Sequence, residues 1–187
     1  MNLSDADLIK QCLLGDNAGF DALVRKYQKQ VYHFCFGMVG NADDASDAAQ
    51  DAFVKAYHAL ANFREDASFL SWIMRIANNA CVDLWRRRGR RNAVSLDDED
   101  SGLNDIPSDA LDPESMVIGE ENRRLILEAV LRMPEKRRGA LVMFYFGEMS
   151  IRDISRALGK PEGTVKSDLH FAREMLRRKL EGVVVEV

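Results

Sequence analysis

Apolar residues recur every three or four positions along most of the chain, and no stretch of any length alternates with the period of a strand. Ser4 with Asp7 has the pattern of a capping box and Gly15 that of a helix stop, which predicts a short helix between them. Phe20, Leu23, Val24, Tyr27, Val31, Phe34, Cys35 and Met38 fall on one stripe of a helix of about five turns. Gly40-Asn41 breaks it. Ala45, Ala49, Ala52, Phe53, Ala56 and Leu60 make the next stripe, with Asp43, Asp44, Asp47 and Asp51 on its early turns, where acids suit the helix dipole. Residues 61–68 carry no period and read as a loop. Phe69, Trp72, Ile73, Ile76, Ala77, Ala80 and Leu84 predict a further helix that runs into Arg86-Arg87-Arg88-Gly89-Arg90-Arg91.

The pattern then stops. Residues 92–118 are rich in Asp, Ser and Asn, contain Pro107 and Pro113, and hold few large apolar groups. Such a segment cannot offset the entropy of ordering, so it reads as a flexible linker. Fully extended it would reach roughly 90 Å. Beyond it, four shorter helices are expected. Leu125, Ile126, Val130 and Met133 mark the first, ended by Pro134. The second covers 135–146, with Gly147 as its stop. Ser150 and Asp153 cap the third, whose apolar face is Ile151, Ile154, Ser155 and Leu158. The fourth starts near Glu162 and buries Val165, Leu169, Ala172 and Leu176. The fold class is therefore all-α: two small helical domains, 1–91 and 119–187, joined by the acidic linker 92–118.

Charge sharpens this division. The net charge of −4 over 187 residues is unevenly spread. Residues 1–91 are near neutral, 92–122 hold ten acids and no lysine or arginine, and 123–182 are basic, with 14 Lys/Arg against 8 Asp/Glu. Nucleic-acid binding follows the local field and not the total, so the acidic whole does not exclude it. No apolar run approaches the roughly 20 residues of a membrane-spanning helix. The acid-bearing start, Met-Asn-Leu-Ser-Asp-Ala-Asp, is unlike a secretory signal. Three cysteines without a C-x-x-C pair argue against a disulfide framework or a cysteine zinc site. A reduced, cytoplasmic protein is the expectation.

The stretch from Ser150 to Leu169 has the design of a helix-turn-helix. Ser155 is small where two helices cross, Gly159 suits a positive φ, and Pro161 suits the approach to a helix. In such a unit the second helix enters the major groove. Its early outward residues would be Glu162, Thr164, Lys166, Ser167 and His170, with Arg173 nearer the phosphates. A plain helical hairpin in an all-α protein has the same pattern.

Five ordered blocks go further. Asp47-Ala-Ala-Gln-Asp-Ala-Phe-Val-Lys-Ala-Tyr, Asn62-Phe-Arg, Phe69 to Arg88, Leu131-Arg-Met-Pro-Glu-Lys-Arg-Arg and Gly163-Thr-Val-Lys-Ser together resemble an extracytoplasmic-function RNA polymerase sigma factor. The resemblance implies a non-enzymatic, promoter-specificity subunit that uses no cofactor. Domain 1–91 would be its region 2, binding core polymerase through Asp47, Gln50, Asp51 and Phe53. The same domain would open the −10 element with Phe63, Arg64, Ser68, Trp72, Arg75, Asn79 and the phosphate-tracking Arg86, Arg87 and Arg88. Domain 119–187 would be its region 4, meeting the −35 element through Thr164, Lys166, Ser167, His170 and Arg173. The linker would occupy a basic channel of polymerase, and an anti-sigma factor would be a further partner. Two positions depart from the pattern. Asp168 and Phe171 stand where many members carry arginine, and a carboxylate on that face is expected to repel phosphate and weaken the grip.

More ordinary roles are open to several of these residues. Trp72 and Phe69 lie on an apolar stripe, where core burial is the commoner fate. Asp47 and Asp51 could be a solvated helix face. Cys12, Cys35 and Cys81 read as core packing, and His58 and His170 as surface. His33 has no second ligand pair near it for a metal. No nucleophile motif, paired carboxylates or Gly-rich phosphate loop suggests an enzyme. A stand-alone helix-turn-helix regulator and a helical interaction protein remain the alternatives.

Overall fold

The computed structural model describes residues 3–64, 67–92 and 120–180, with side chains described except at 88–92, 120–123, 135, 136, 179 and 180. Every described element is helical. The linker reading for 92–118 falls almost wholly outside the described residues.

Helix α1 (Asp5–Leu13) begins with the capping box. The Asp7 N–H donates to Ser4 Oγ at 3.2 Å, and Asp7 Oδ2 accepts from the Ser4 N–H at 3.2 Å. The Ser4 hydroxyl also donates to Asp7 Oδ2 at 2.6 Å, and this bond, then that from the Ser4 N–H, favour the charged carboxyl and hold its pKa below the usual value. Helix α2 (Ala18–Val39) carries the long stripe and ends at Gly40, whose φ of 84° is left-handed. Helix α3 (Ala42–Ala59) is capped by Asn41, whose Oδ1 accepts from the Asp44 N–H at 2.9 Å. The buried alanines 45, 48, 52 and 56 leave no bulk between α3 and its neighbours. A single 3-10 turn, Leu60–Asn62, occupies the start of the expected loop. Helix α4 (Phe69–Asn92) lies against α2 and α3, and Ser68 caps it by accepting from the Ser71 N–H at 3.2 Å.

The second domain contains α5 (Glu120–Leu131), α6 (Glu135–Tyr145), α7 (Ile151–Leu158) and α8 (Glu162–Leu180). Ser150 caps α7 as expected, with Asp153 N–H to Ser150 Oγ at 3.1 Å. Gly159 takes a φ of 63° between α7 and α8. Ser155, expected to be a small crossing residue, fastens this turn by donating to the Lys160 carbonyl at 2.5 Å. The end of α6 differs from expectation. Glu148, with φ 50°, adopts the left-handed backbone instead of Gly147. Gly147 is needed for space, because a Cβ there would lie 2.8 Å from the Met143 carbonyl oxygen.

The two domains pack on one another. Helix α7 lies against α4, while α5 and α6 lie against α2. Consequently every residue from His33 to Gly40 is buried, including Phe36 and Val39, which the sequence stripe left outside. Gly37 makes the contact possible, since a Cβ there would stand 2.7 Å from Val142 Cγ1. At the same seam Arg138 is buried. Its Nη1 donates to the Met38 carbonyl at 2.8 Å, and its Nη2 to the carbonyls of Met133, at 2.9 Å, and Leu131. The guanidinium lies over the Trp85 ring at 4.0 Å. One apolar core thus runs through both domains.

Cys35 and Cys81 are buried and Cys12 half-buried, as a packing role requires. A hydrogen bond with the Cys81 thiol, and then burial, push the Cys35 thiol well above its usual 9.0. A raised thiol pKa means that the folded state holds its proton longer than the unfolded state. This contribution is complete below about pH 9 and is lost as pH rises further. The expected results are a melting temperature that falls more steeply above pH 9 in the native protein than in Cys35→Ala, and thiols at 35 and 81 that resist iodoacetamide at pH 8 until the chain is unfolded. Rapid labelling of Cys35 in the folded protein would contradict this.

Candidate nucleic-acid interface

On α4 and the segment before it, Phe63, Phe69 and Trp72 form one aromatic cluster, with ring centroids 5.1 to 6.2 Å apart. Phe69 is buried, whereas Phe63 and Trp72 are half-buried. Beside the cluster opens a crevice of about 410 Å³ lined by Asn62, Arg64, Ser71, Trp72 and Arg75. Arg156 of α7 also lines it, so the second domain closes one side. Three guanidiniums around an aromatic wall suit an unstacked base attached to its phosphates.

Of the residues expected to meet strand-separated DNA, the structure gathers Arg64, Trp72 and Arg75 here. Phe63 supports Trp72 from behind, its ring at 66° to the indole. Ser68 caps α4, its Oγ 2.8 Å from Ser71 Oγ. Asn79 is exposed about one turn beyond Arg75, outside the crevice lining. Arg86 lies 3.7 Å from Asp83, a loose and exposed pair. Arg88 lies on α4, and its side chain falls outside those described. Asn62, Ser71 and Arg156 were missed. Ser68-x-x-Ser71 could have been read as a cap, but nothing local in the sequence places Arg156 at this wall.

The expected polymerase-contact residues divide into two sets. Gln50 is exposed and Phe53 buried, and both line a mostly apolar groove of about 640 Å³ between α2 and α3, with Tyr32 and the exposed Val54. Asp47 and Asp51 line a smaller crevice with Asp83 and Arg87. Asp51 is also paired with Lys55 at 2.7 Å. Phe53 is therefore the floor of a groove and not a projecting contact.

On α8, Thr164, Lys166, Ser167, His170 and Arg173 are all exposed. Ser167 Oγ donates to the Gly163 carbonyl at 3.0 Å, and Arg173 Nε to the Tyr145 hydroxyl at 2.9 Å. Asp168, expected to repel phosphate, is paired with two cations. Its Oδ2 accepts from Lys160 Nζ at 2.7 Å, and Arg137 Nε lies 3.8 Å from its Oδ1. The carboxylate is largely shielded and neutralised by these two cations.

These features define a two-part helical nucleic-acid-binding protein, with an arginine-lined crevice beside the aromatic cluster of the first part and a helix-turn-helix in the second. The description Sigma-70 region 2 matches residues 23–91, and Sigma-70, region 4 matches residues 123–176. The chain is 35% identical to the ECF RNA polymerase sigma factor SigW of Bacillus subtilis over 178 residues, covering 92% of this chain and 94% of that one. It is 35% identical to the RNA polymerase sigma-H factor of Pseudomonas aeruginosa over 190 residues, 97% and 96% of the two chains. The ECF RNA polymerase sigma-E factor of Escherichia coli is 31% identical, over 97% of each chain. Among solved structures, RpoE of Bartonella quintana, in complex with the anti-sigma factor NepR, shares the fold with a TM-score of 0.72 at 21% identity, covering 90% of this chain and 98% of that one. CnrH, in complex with the cytosolic domain of CnrY, gives 0.69 at 24% identity, with 95% and 97% covered. The chain belongs to the extracytoplasmic-function RNA polymerase sigma factors, the non-enzymatic subunits that recognise promoters and direct transcription initiation. No described helix is long and apolar enough to cross a membrane.

Proposed function

We propose that residues 1–91 hold core polymerase and open the −10 element, that residues 119–187 bind the −35 duplex, and that the two act in the bacterial cytoplasm. The observation that supports this most is the crevice beside Trp72, with its aromatic wall and its three guanidiniums. A flipped base costs a few kcal/mol, and stacking or capture returns about 1–3 kcal/mol. One crevice only just offsets that cost, so strand opening requires polymerase to hold DNA and crevice together. The arginines of α4 beyond the crevice would follow the backbone of the opened strand, and the exposed face of α8 would read the −35 duplex. Linking both grips on one chain raises the effective concentration of the second once the first is bound.

The α2–α3 groove, with Gln50 on its rim and Phe53 in its floor, fits the docking of a helical element of core polymerase. Val54, 55% exposed beside it, would be covered on assembly. Val54→Asp is expected to weaken core binding at least about tenfold by burying an unpaired charge, with the circular dichroism spectrum unchanged. Native-gel titration with core enzyme would measure it, and an unaltered affinity would remove the groove from the interface. An anti-sigma factor is proposed as a second partner, in line with the complex of the Bartonella quintana relative. The test of the whole reading is run-off transcription with purified core enzyme on genomic fragments. Promoter-dependent starts are expected, and their absence with folded protein would overturn it. A gel shift of the free chain separates this reading from a stand-alone regulator, which would bind duplex tightly without polymerase.

A further inference from the structure

Phe171 is one of the few large apolar side chains left exposed, at 41%, and it stands on the helix proposed to face phosphate. Its ring is covered by the guanidinium of Arg137, whose Cζ lies 3.6 Å from the ring centroid. Arg137 belongs to the first turn of α6, outside the helix-turn-helix. The same guanidinium is flanked at its Nε edge by Asp168, which Lys160 also holds. The two positions of α8 that depart from the family pattern therefore touch one and the same arginine. Its side chain is 38% exposed, so it faces solvent along part of its length.

We infer that Arg137 is a phosphate-contacting residue of the −35 face, held in place by Phe171 and Asp168 as positioning residues. The inference rests on the proposed −35 role of α8. A planar guanidinium stacked on a ring and restrained at one edge has surrendered much of its rotamer freedom before DNA arrives. Flat stacking leaves the in-plane N–H donors away from the ring, and these donors match a phosphate geometrically. The cationic group that α8 lacks at 168 and 171 is thereby supplied from the neighbouring helix. Asp168 orients Arg137 and Lys160, and those two cations outweigh its own charge.

The experiment uses holoenzyme and duplex promoter fragments identified by run-off transcription, with and without the −35 element, over a potassium chloride series. Arg137→Ala is expected to weaken −35-dependent binding about tenfold and to reduce the slope of log K against log salt by about one. Phe171→Ala is expected to cause a smaller loss that disappears in the Arg137→Ala background. Asp168→Asn is expected to lower affinity about two- to threefold, as the loss of an orienting group requires. Unchanged affinity and slope in folded Arg137→Ala would overturn the inference and leave the cluster a purely internal staple. A gain of affinity in Asp168→Asn would overturn the positioning role. If wild-type holoenzyme binds both fragments equally, the −35 reading of α8 fails first and the inference with it.

Discussion

Trp72→Ala is expected to lower initiation on fully duplex promoters by about 30-fold or more, and to be largely rescued on templates whose −10 segment is already mismatched. Trp72 forms the aromatic wall of the crevice and stacks edge-on against Phe63. Losing a stacking surface worth about 1–3 kcal/mol removes most of what offsets base flipping. A mismatched template has met that cost in advance, so the indole matters less there. The substitution also thins the cluster with Phe63 and Phe69, and some thermal destabilisation will accompany it. The ratio of activities on the two templates, measured at one temperature with folded protein, separates the effects. A defect of equal size on both templates would return Trp72 to a packing role alone.

Arg138→Ala is expected to destabilise the protein by about 3 kcal/mol, because the carbonyls of Met38, Leu131 and Met133 lose a buried donor and the Trp85 face loses its cation. For a chain of this length that is a fall of roughly 6–12 °C in melting temperature. Arg138→Lys keeps the charge but not the planar fork, and should recover only part of the loss. Differential scanning calorimetry of the three proteins measures both effects. A fall below about 2 °C for the alanine variant would mean that water replaces the guanidinium without cost.

The helices were legible because each carries its own local instructions. Ser4 with Asp7, and Ser150 with Asp153, start helices through bonds three residues long. Gly40 and Gly159 end them with positive φ. What could not be read depends on distant partners. Phe36 and Val39 look like the outer face of α2 until α5 and α6 cover them. Arg138 sits beside Arg137 in a charged run, and nothing in that run says that one guanidinium is buried and the other half-exposed. Asp168 looks repulsive from its own helix, since Lys160 and Arg137 approach it from elsewhere. Trp72 and Arg75 were singled out through family resemblance, but Ser71 and Arg156 were not, and only packing between the domains brings α7 with Arg156 to that wall. Phe53 was expected at a contact surface, and its side chain lies in the floor of the α2–α3 groove, which only the packing of the two helices reveals.

The seam at Gly37, Val142 and Arg138 has a consequence for how tightly any promoter can be held. Helix α7 rests on α4, so a helix of the half proposed to grip duplex borders the crevice proposed to read the opened strand. If engaging both elements at once draws these helices apart, the free energy that closes the seam is subtracted from DNA affinity, by an amount set by how rarely the chain opens unaided. Loosening the closure would then strengthen promoter response without altering a single DNA-facing atom. A ligand that bridges the halves would silence the molecule by the same arithmetic with the sign reversed.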